Sequence, residues 1–387
     1  MTAFGQIVLR EWRALRQEAR LVVLVIVGPL AFALAVGAVY SPKKVTGLAT
    51  TIVDQDSSAL SRELTRAVLA TQPFVLGQYA DSPEEFRHLA AEGRSHICFV
   101  FPRHMERDIK AGRGATVAVL VDTSNLLGGN VAGTMATTVL STYSVGADIQ
   151  ALIRRGIGPS TRAAKIAMPI AQDTRIWFNP AFDSNYANFV VLGMLAIPIQ
   201  LAAMVAGARE FRPAAADLFS TSRSVFVIAG AKCAAYAAFV WPVCWLTLHL
   251  PQWQLGAPMK GGEWLLGALV LWFVTNMVLL GFAISCFVKE AVFATEICTA
   301  ITMPNFLISG FTWPAFSMPR LFEAAAYALP MRPFALALRK ITLMGAGIHD
   351  LSAELLSLTA WSLVAGSLAL AGAHSLQRTA PRGRTPA

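Results

Sequence analysis

A run of twenty residues, Leu21 to Tyr40, carries no charged side chain, and only Gly28, Pro29, Gly37 and the closing Tyr40 interrupt its apolar texture. At about 1.5 Å of helical rise per residue it is long enough to cross a hydrocarbon layer of roughly 30 Å, so the spacing predicts a transmembrane helix. Arg10, Arg13, Arg16 and Arg20 precede it and are expected to hold its start in the cytoplasm. Removal of the run as a signal peptide is not expected, because Tyr40-Ser41-Pro42 is a poor cleavage site. Residues 41–185 then have the texture of a soluble domain before apolar runs return, so this first crossing decides on which side that domain sits.

The whole chain agrees with this start. Its 387 residues are 55% hydrophobic and only 14% charged, with a mean hydropathy of +0.53, a composition that excludes a soluble globular protein. The net charge of +9 would suggest nucleic acid in a soluble chain. Here many basic residues sit at the ends of apolar runs, so membrane lipid headgroups are the expected partners and nucleic acid is not. The five cysteines show neither metal-ligand nor redox spacing, and no disulfide framework is predicted.

Taken in order, residues 1–20 predict an interfacial helix. Phe4, Val8, Trp12 and Leu15 form its apolar stripe and Gln6, Arg10, Arg13, Gln17 and Arg20 the opposite face, with Arg10, Trp12, Arg13, Arg16 and Arg20 as anchors. Between 41 and 185 the pattern is α/β. Strands are expected at 49–53, 74–79, 96–101 and 115–121, helices at 58–70 and 82–91, and a long, weakly apolar helix at 126–154. No Gly-rich nucleotide loop opens any of these helices. His88, His96 and His104 are eight residues apart but fall on three different elements, so no metal site is predicted.

Five further apolar runs cover 186–207, 225–248, 264–288, 291–310 and 355–370, giving six transmembrane helices within 21–40 and 186–373. Lys232, near the start of its run, is expected to snorkel towards headgroups. The tail 374–387 reads as disordered and cytoplasmic. The segments expected inside carry eleven Lys and Arg against five in the short outside loops, which places both termini in the cytoplasm and the 41–185 domain outside. Residues 311–350 are apolar but interrupted by Pro314, Pro319, Pro330 and Pro333, which excludes one continuous helix and predicts an outer re-entrant segment. The fold class is therefore a membrane all-α protein of six transmembrane helices with an inserted extracytoplasmic α/β domain.

Catalytic signatures are missing. There is no Walker-type loop, no His-Glu-x-x-His helix and no Gly-x-Ser-x-Gly turn, so transport is favoured over catalysis. Polar residues in apolar runs are the candidates for a translocation path, because they are expensive in lipid. These are Gln200, Asn276, Glu296, Thr299 and Asn305, and each could equally be an interhelical hydrogen-bonding group. The excursion 209–223 is longer than a turn requires, and Asp217 beside Leu218 and Phe219 offers an apolar anchor next to charge.

Several stretches together carry a family likeness. Ile52-Val53-Asp54-Gln55-Asp56-Ser57-Ser58 with Leu60-Ser61-Arg62-Glu63-Leu64, then Arg209-Glu210-Phe211-Arg212 with Asp217-Leu218-Phe219, Thr221, Gly230 and Lys232, mark a domain entrance and a cytoplasmic helix. Leu307-Ile308-Ser309-Gly310-Phe311 with Pro314, Met318-Pro319, Pro330 and Arg339 marks the end of the fifth span, and the stretch from Arg10 to Arg20 the interfacial helix. In these the chain resembles the permease subunit of ABC-2 exporters, in the branch with a large extracytoplasmic domain after the first span. It departs from that pattern at Ala214-Ala215, where the family usually has Gly-Thr, and at Ser222, where it has proline.

The resemblance implies a bacterial inner-membrane protein working as two permease copies, identical or related, with two ATPase domains. ATP and Mg would be held by the ATPase and no cofactor by this chain; a periplasmic adaptor and an outer-membrane channel often complete the assembly. It implies that Arg209, Glu210, Arg212, Asp217, Leu218 and Phe219 couple to the ATPase, and that Phe311, Trp313, Pro314, Met318 and Pro319 shape an outer gate. The apolar spans lean towards a hydrophobic or amphiphilic substrate. Two other classes stay open: a membrane-anchored sensing or assembly protein that binds through its external domain, and an ion-coupled transporter using Glu296.

Overall fold

The computed structural model describes residues 2–157, 160–168, 186–209, 218–222, 224–288 and 290–379. It divides into two units, residues 44–175 and residues 1–43 with 176–387.

The inserted unit is built on a four-stranded sheet of order β2-β1-β3-β4, from β1 (Leu48–Asp54), β2 (Phe74–Tyr79), β3 (Ile97–Phe101) and β4 (Ala118–Val121). β1 runs parallel to both β2 and β3, with Leu48 opposite Phe74 and Thr50 opposite Ile97, while β4 closes antiparallel on β3. Parallel neighbours need crossovers, supplied by α3 (Ala59–Leu69) and α4 (Pro83–Ala91). α3 is held by a reciprocal capping box between Ser58 and Ser61, and the Ser61 hydroxyl also donates to Asp54 at 2.7 Å. Asp56 accepts from the Glu106 backbone N–H at 3.1 Å, which ties the β1 exit to α5 (Met105–Lys110).

The sheet is covered on both faces, as a parallel sheet requires. Leu48, Ile52, Phe74, Phe99 and Phe101 bury with Leu64 and Val68 of α3 and with Ala132 and Ala136 of α6 (Leu126–Arg154). Val53, Cys98 and Val100 bury on the other side with Phe86 of α4. Burial pushes the Cys98 thiol up to about 12, so this thiol is inert packing. A further helix, α7 (Ser160–Ala167), completes the unit.

The other unit is helical. After α1 (Ala3–Gln17) come five helices long and apolar enough to cross a membrane among the described residues. These are α2 (Ala19–Val39), α8 (Tyr186–Gly207), α9 (Val225–Leu255), α10 (Glu263–Phe287) and α14 (Ser352–Thr379). The run expected to be the fifth of six spans is α11 (Ala291–Leu307), shorter at 17 residues. α2 is widened to a π turn over Val23–Val27, directly before Pro29, whose missing N–H and ring exclude regular pairing there.

Residues 311–350 form no spanning helix: a turn of 3-10 helix at Ala315–Ser317 leads to α12 (Arg320–Ala328) and α13 (Met331–Arg339). Phe334 of α13 stacks on Phe273 of α10 with ring centroids 4.0 Å apart. α14 continues as helix to Thr379, past the expected start of a disordered tail at 374, because Ala373 and Leu376 bury beside Ile7 and Phe282.

Close packing of α8 on α10 rests on two glycines. A Cβ at Gly207 would lie 2.1 Å from the Val278 carbonyl oxygen, and one at Gly281 would lie 1.9 Å from that of Met204. The two backbones touch directly, as small residues permit in membrane bundles.

Candidate functional site

A buried polar cluster gathers where α1 meets α9. Of the apolar stripe expected on α1, Leu15 alone is buried. Ile7, Glu11 and Leu15, four residues apart and therefore on one face, are its buried residues, and Phe4 is exposed. A carboxylate in the middle of that buried face needs a partner, and three side chains meet it. The Tyr236 hydroxyl donates to Glu11 Oε2 at 2.8 Å, Arg209 Nη1 lies 3.4 Å from the same oxygen and Lys232 Nζ 3.9 Å from it. Arg209 Nε also donates to Glu18 Oε1 at 2.7 Å, and Nη1 reaches the Tyr236 oxygen at 3.2 Å.

Lys232 therefore does not snorkel. It is 2% exposed, with its ammonium 5.6 Å from the Tyr236 ring and 5.5 Å from that of Phe282. The carboxylate and the two ring faces replace the water it leaves, which is the condition for burying an ammonium. Burial works against the charge on Arg209, but the hydrogen bond to Glu18 and the contact with Tyr236 outweigh it and raise its pKa above the ordinary value.

The residues expected to couple to an ATPase separate accordingly. Arg209 is fastened into this cluster, whereas Glu210, Arg212 and Asp217 lie outside the described residues. Leu218 is fully buried with Ile7, Val225, Ile228 and Phe282, while Phe219 packs at the edge of that group. Of the interfacial anchors, Arg13, Arg16 and Arg20 are exposed. Arg10 and Trp12 are half-buried, Trp12 meeting Phe239 of α9 edge-on at 6.4 Å.

The five path candidates do not form one surface. Asn305 Nδ2 donates to Gln200 Oε1 at 3.1 Å, both side chains fully buried between α8 and α11. Asn276 donates to the Leu358 carbonyl at 3.1 Å, joining α10 to α14 where Trp272 also donates to Ser362 at 2.9 Å. Glu296 and Thr299 are exposed on α11 beside Val292, Phe293 and Met303. The reason is periodicity: at about 100° per residue, the nine positions from Glu296 to Asn305 place them on opposite faces.

The expected gate residues divide too. Phe311 is buried on α8, its ring resting on Gly193, where a Cβ would stand 2.2 Å from it, and 5.5 Å from the ring of Phe189. Trp313, Pro314 and Pro319 are exposed and Met318 is half-buried. Two residues that sequence patterns undervalued stand out. Glu11 was hidden because a charge inside an amphipathic stripe reads as part of the polar face. Arg339 was noticed only as part of a motif, yet its guanidinium lies 5.7 Å from the rings of both Phe189 and Phe311.

Against this geometry, a family model for ABC-2 family transporter proteins matches residues 19–371, spanning both units. The chain belongs to the ABC-2 transporter family. Its relatives include the probable multidrug ABC transporter permease YbhR of Escherichia coli K12, 23% identical over 338 residues, or 85% of this chain and 86% of that one. They also include the probable multidrug ABC transporter permease YbhS of the same organism, 27% identical over 183 residues. That match covers 44% of this chain and about half, 47%, of YbhS. As a member of this family the chain is a multi-pass, non-catalytic transport protein.

Proposed function

We propose that the chain is the permease subunit of an ATP-driven exporter that moves a hydrophobic or amphiphilic substrate outward across a bacterial inner membrane. α11 makes the sixth crossing. Its 17 residues lie at the lower limit for a span, about 17 residues, and six crossings leave both termini in the cytoplasm. The inserted domain is then extracytoplasmic, where an adaptor leading to an outer-membrane channel can dock. ATP and Mg are held by a separate ATPase. The second permease copy covers the Glu296 face, which lipid would not tolerate uncovered.

The observation that carries this reading is the fastening of Arg209. The segment expected to contact the ATPase begins at a residue tied to Glu11 of α1, to Glu18 and to Tyr236 of α9. A displacement of that segment is delivered to three helices at once, which is what coupling demands of a bistable element. Co-purification from mild detergent with a co-expressed ABC ATPase tests it. The wild type retains the ATPase and its activity, and the Glu210→Ala/Asp217→Ala double variant loses both. A wild type that retains no ATPase under several detergents sinks the exporter reading.

A further inference from the structure

The bundle handles its cations in two ways, and the difference indicates a ligand. Lys232 and Arg209 meet Glu11, and Lys340 Nζ lies 2.7 Å from Glu354, so these buried or half-buried cations have carboxylates. Arg332 and Arg339 are also half-buried, but among the described residues neither has a hydrogen bond or ion pair. Both face aromatic rings instead. Arg332 stacks 3.5 Å from the Tyr327 ring centroid, with Nη1 buried and without a hydrogen-bond partner. Arg339 lies beside the Phe189 and Phe311 pair, 5.7 Å from each ring.

A guanidinium presents five N–H donors, and contact with ring faces satisfies none of them in the plane of the fork. Seven residues apart, the two arginines return to the same side of α13 after two turns, roughly 10 Å along it. The opposite side, with Phe334 and Ala337, is buried in the bundle. The region thus offers two unpaired cations on one face, with the rings of Phe311 and Phe189 at one arginine and that of Tyr327 at the other.

We propose that Arg332 and Arg339 form the receiving site for the acidic head, carboxylate or phosphate, of the amphiphile this protein exports, whose apolar body lies along Phe189 and Phe311. This rests on the exporter reading and narrows its substrate class to anionic amphiphiles. Arg339 takes the head in a bidentate pair that an ammonium or a neutral donor cannot reproduce, and Arg332 completes the field.

The test is binding to the full-length chain in phosphatidylcholine nanodiscs, with cis-parinaric acid and its methyl ester as fluorescent probes. The wild type binds the acid about tenfold tighter than the ester, in line with a charge-assisted pair. Arg339→Gln removes that preference and leaves ester binding unchanged, while Arg339→Lys keeps part of it. Arg332→Gln lowers the preference as well and serves as the reading should Arg339→Gln fail to fold. Equal binding of acid and ester by the wild type overturns the proposal. So does a phosphatidylglycerol molecule that co-purifies with the wild type but not with Arg339→Gln and blocks the acid, which would make this a structural lipid site. The ATPase is not needed for the measurement, so loss of ATPase co-purification with an intact acid preference would strike the exporter reading alone.

Discussion

Glu11 is the residue whose replacement tells most about the bundle. Removing its charge takes away the carboxylate 3.9 Å from Lys232, which is 2% exposed, and one of the two carboxylates that Arg209 meets. Breaking a buried ion pair from one side costs about 3–5 kcal/mol, whereas replacing both partners by apolar groups is often neutral. Glu11→Gln is therefore expected to lower the thermal midpoint of the purified protein sharply, and Glu11→Gln/Lys232→Met to recover much of the loss. If single and double variants melt together, the cluster is not a charge-compensating unit. The same pair shows why part of the site was not legible in the sequence. The Arg209 segment announced itself as a charged excursion, but only the tertiary crossing of α1 over α9 turns a glutamate on a polar-looking face into the counter-ion of a lysine inside a span.

At the scale of elements, the α8–α10 crossing separates glycines that hold the fold from those that do not. Gly281 admits no Cβ without moving the Met204 carbonyl, whereas a Cβ at Gly366 of α14 meets nothing within 4 Å. Gly281→Ala is expected to destabilise by about 1–3 kcal/mol, the usual result of overpacking. Gly366→Ala is expected to be neutral or to gain up to about 1 kcal/mol from the helix propensity of alanine. Thermal denaturation of both in one detergent checks this, and equal shifts would mean that the close approach is not what the two glycines serve. Elements with a single strong period were legible: the strands of the sheet, the long α6 and the uncharged run of α2 stand where alternation and length put them. The division of polar residues within α11 was not. Thr302 and Asn305 turn to α8 while Glu296 and Thr299 turn away, and only the neighbour's position decides which polar face is buried.

For the whole molecule, the exposed faces of the bundle are of two chemical kinds. α14 exposes Leu356, Leu363, Val364 and Leu368, and α2 exposes Val23, Leu24, Val27 and Leu34, surfaces that hydrocarbon solvates without loss. α11 exposes Val292, Phe293 and Met303 with Glu296 and Thr299 among them. An ionisable group at membrane depth faces protein or water in nearly every known case. The α11 face is thus where a second permease copy is expected, with the path for substrate between the two, and the α14 face is where lipid is expected. Cross-linking in native membranes separates them. With the native cysteines all buried, Thr299→Cys is expected to give a covalent dimer with a short bifunctional thiol reagent and Leu363→Cys to give none. Dimer from Leu363→Cys but not from Thr299→Cys would move the interface to α14 and leave Glu296 to be explained by a different neighbour. Because two related permeases can pair in place of two copies, the Thr299→Cys variant is best followed by mass: a product at twice the chain mass identifies a homodimer, and one at the sum of two unequal masses identifies a heterodimer joined through the same face.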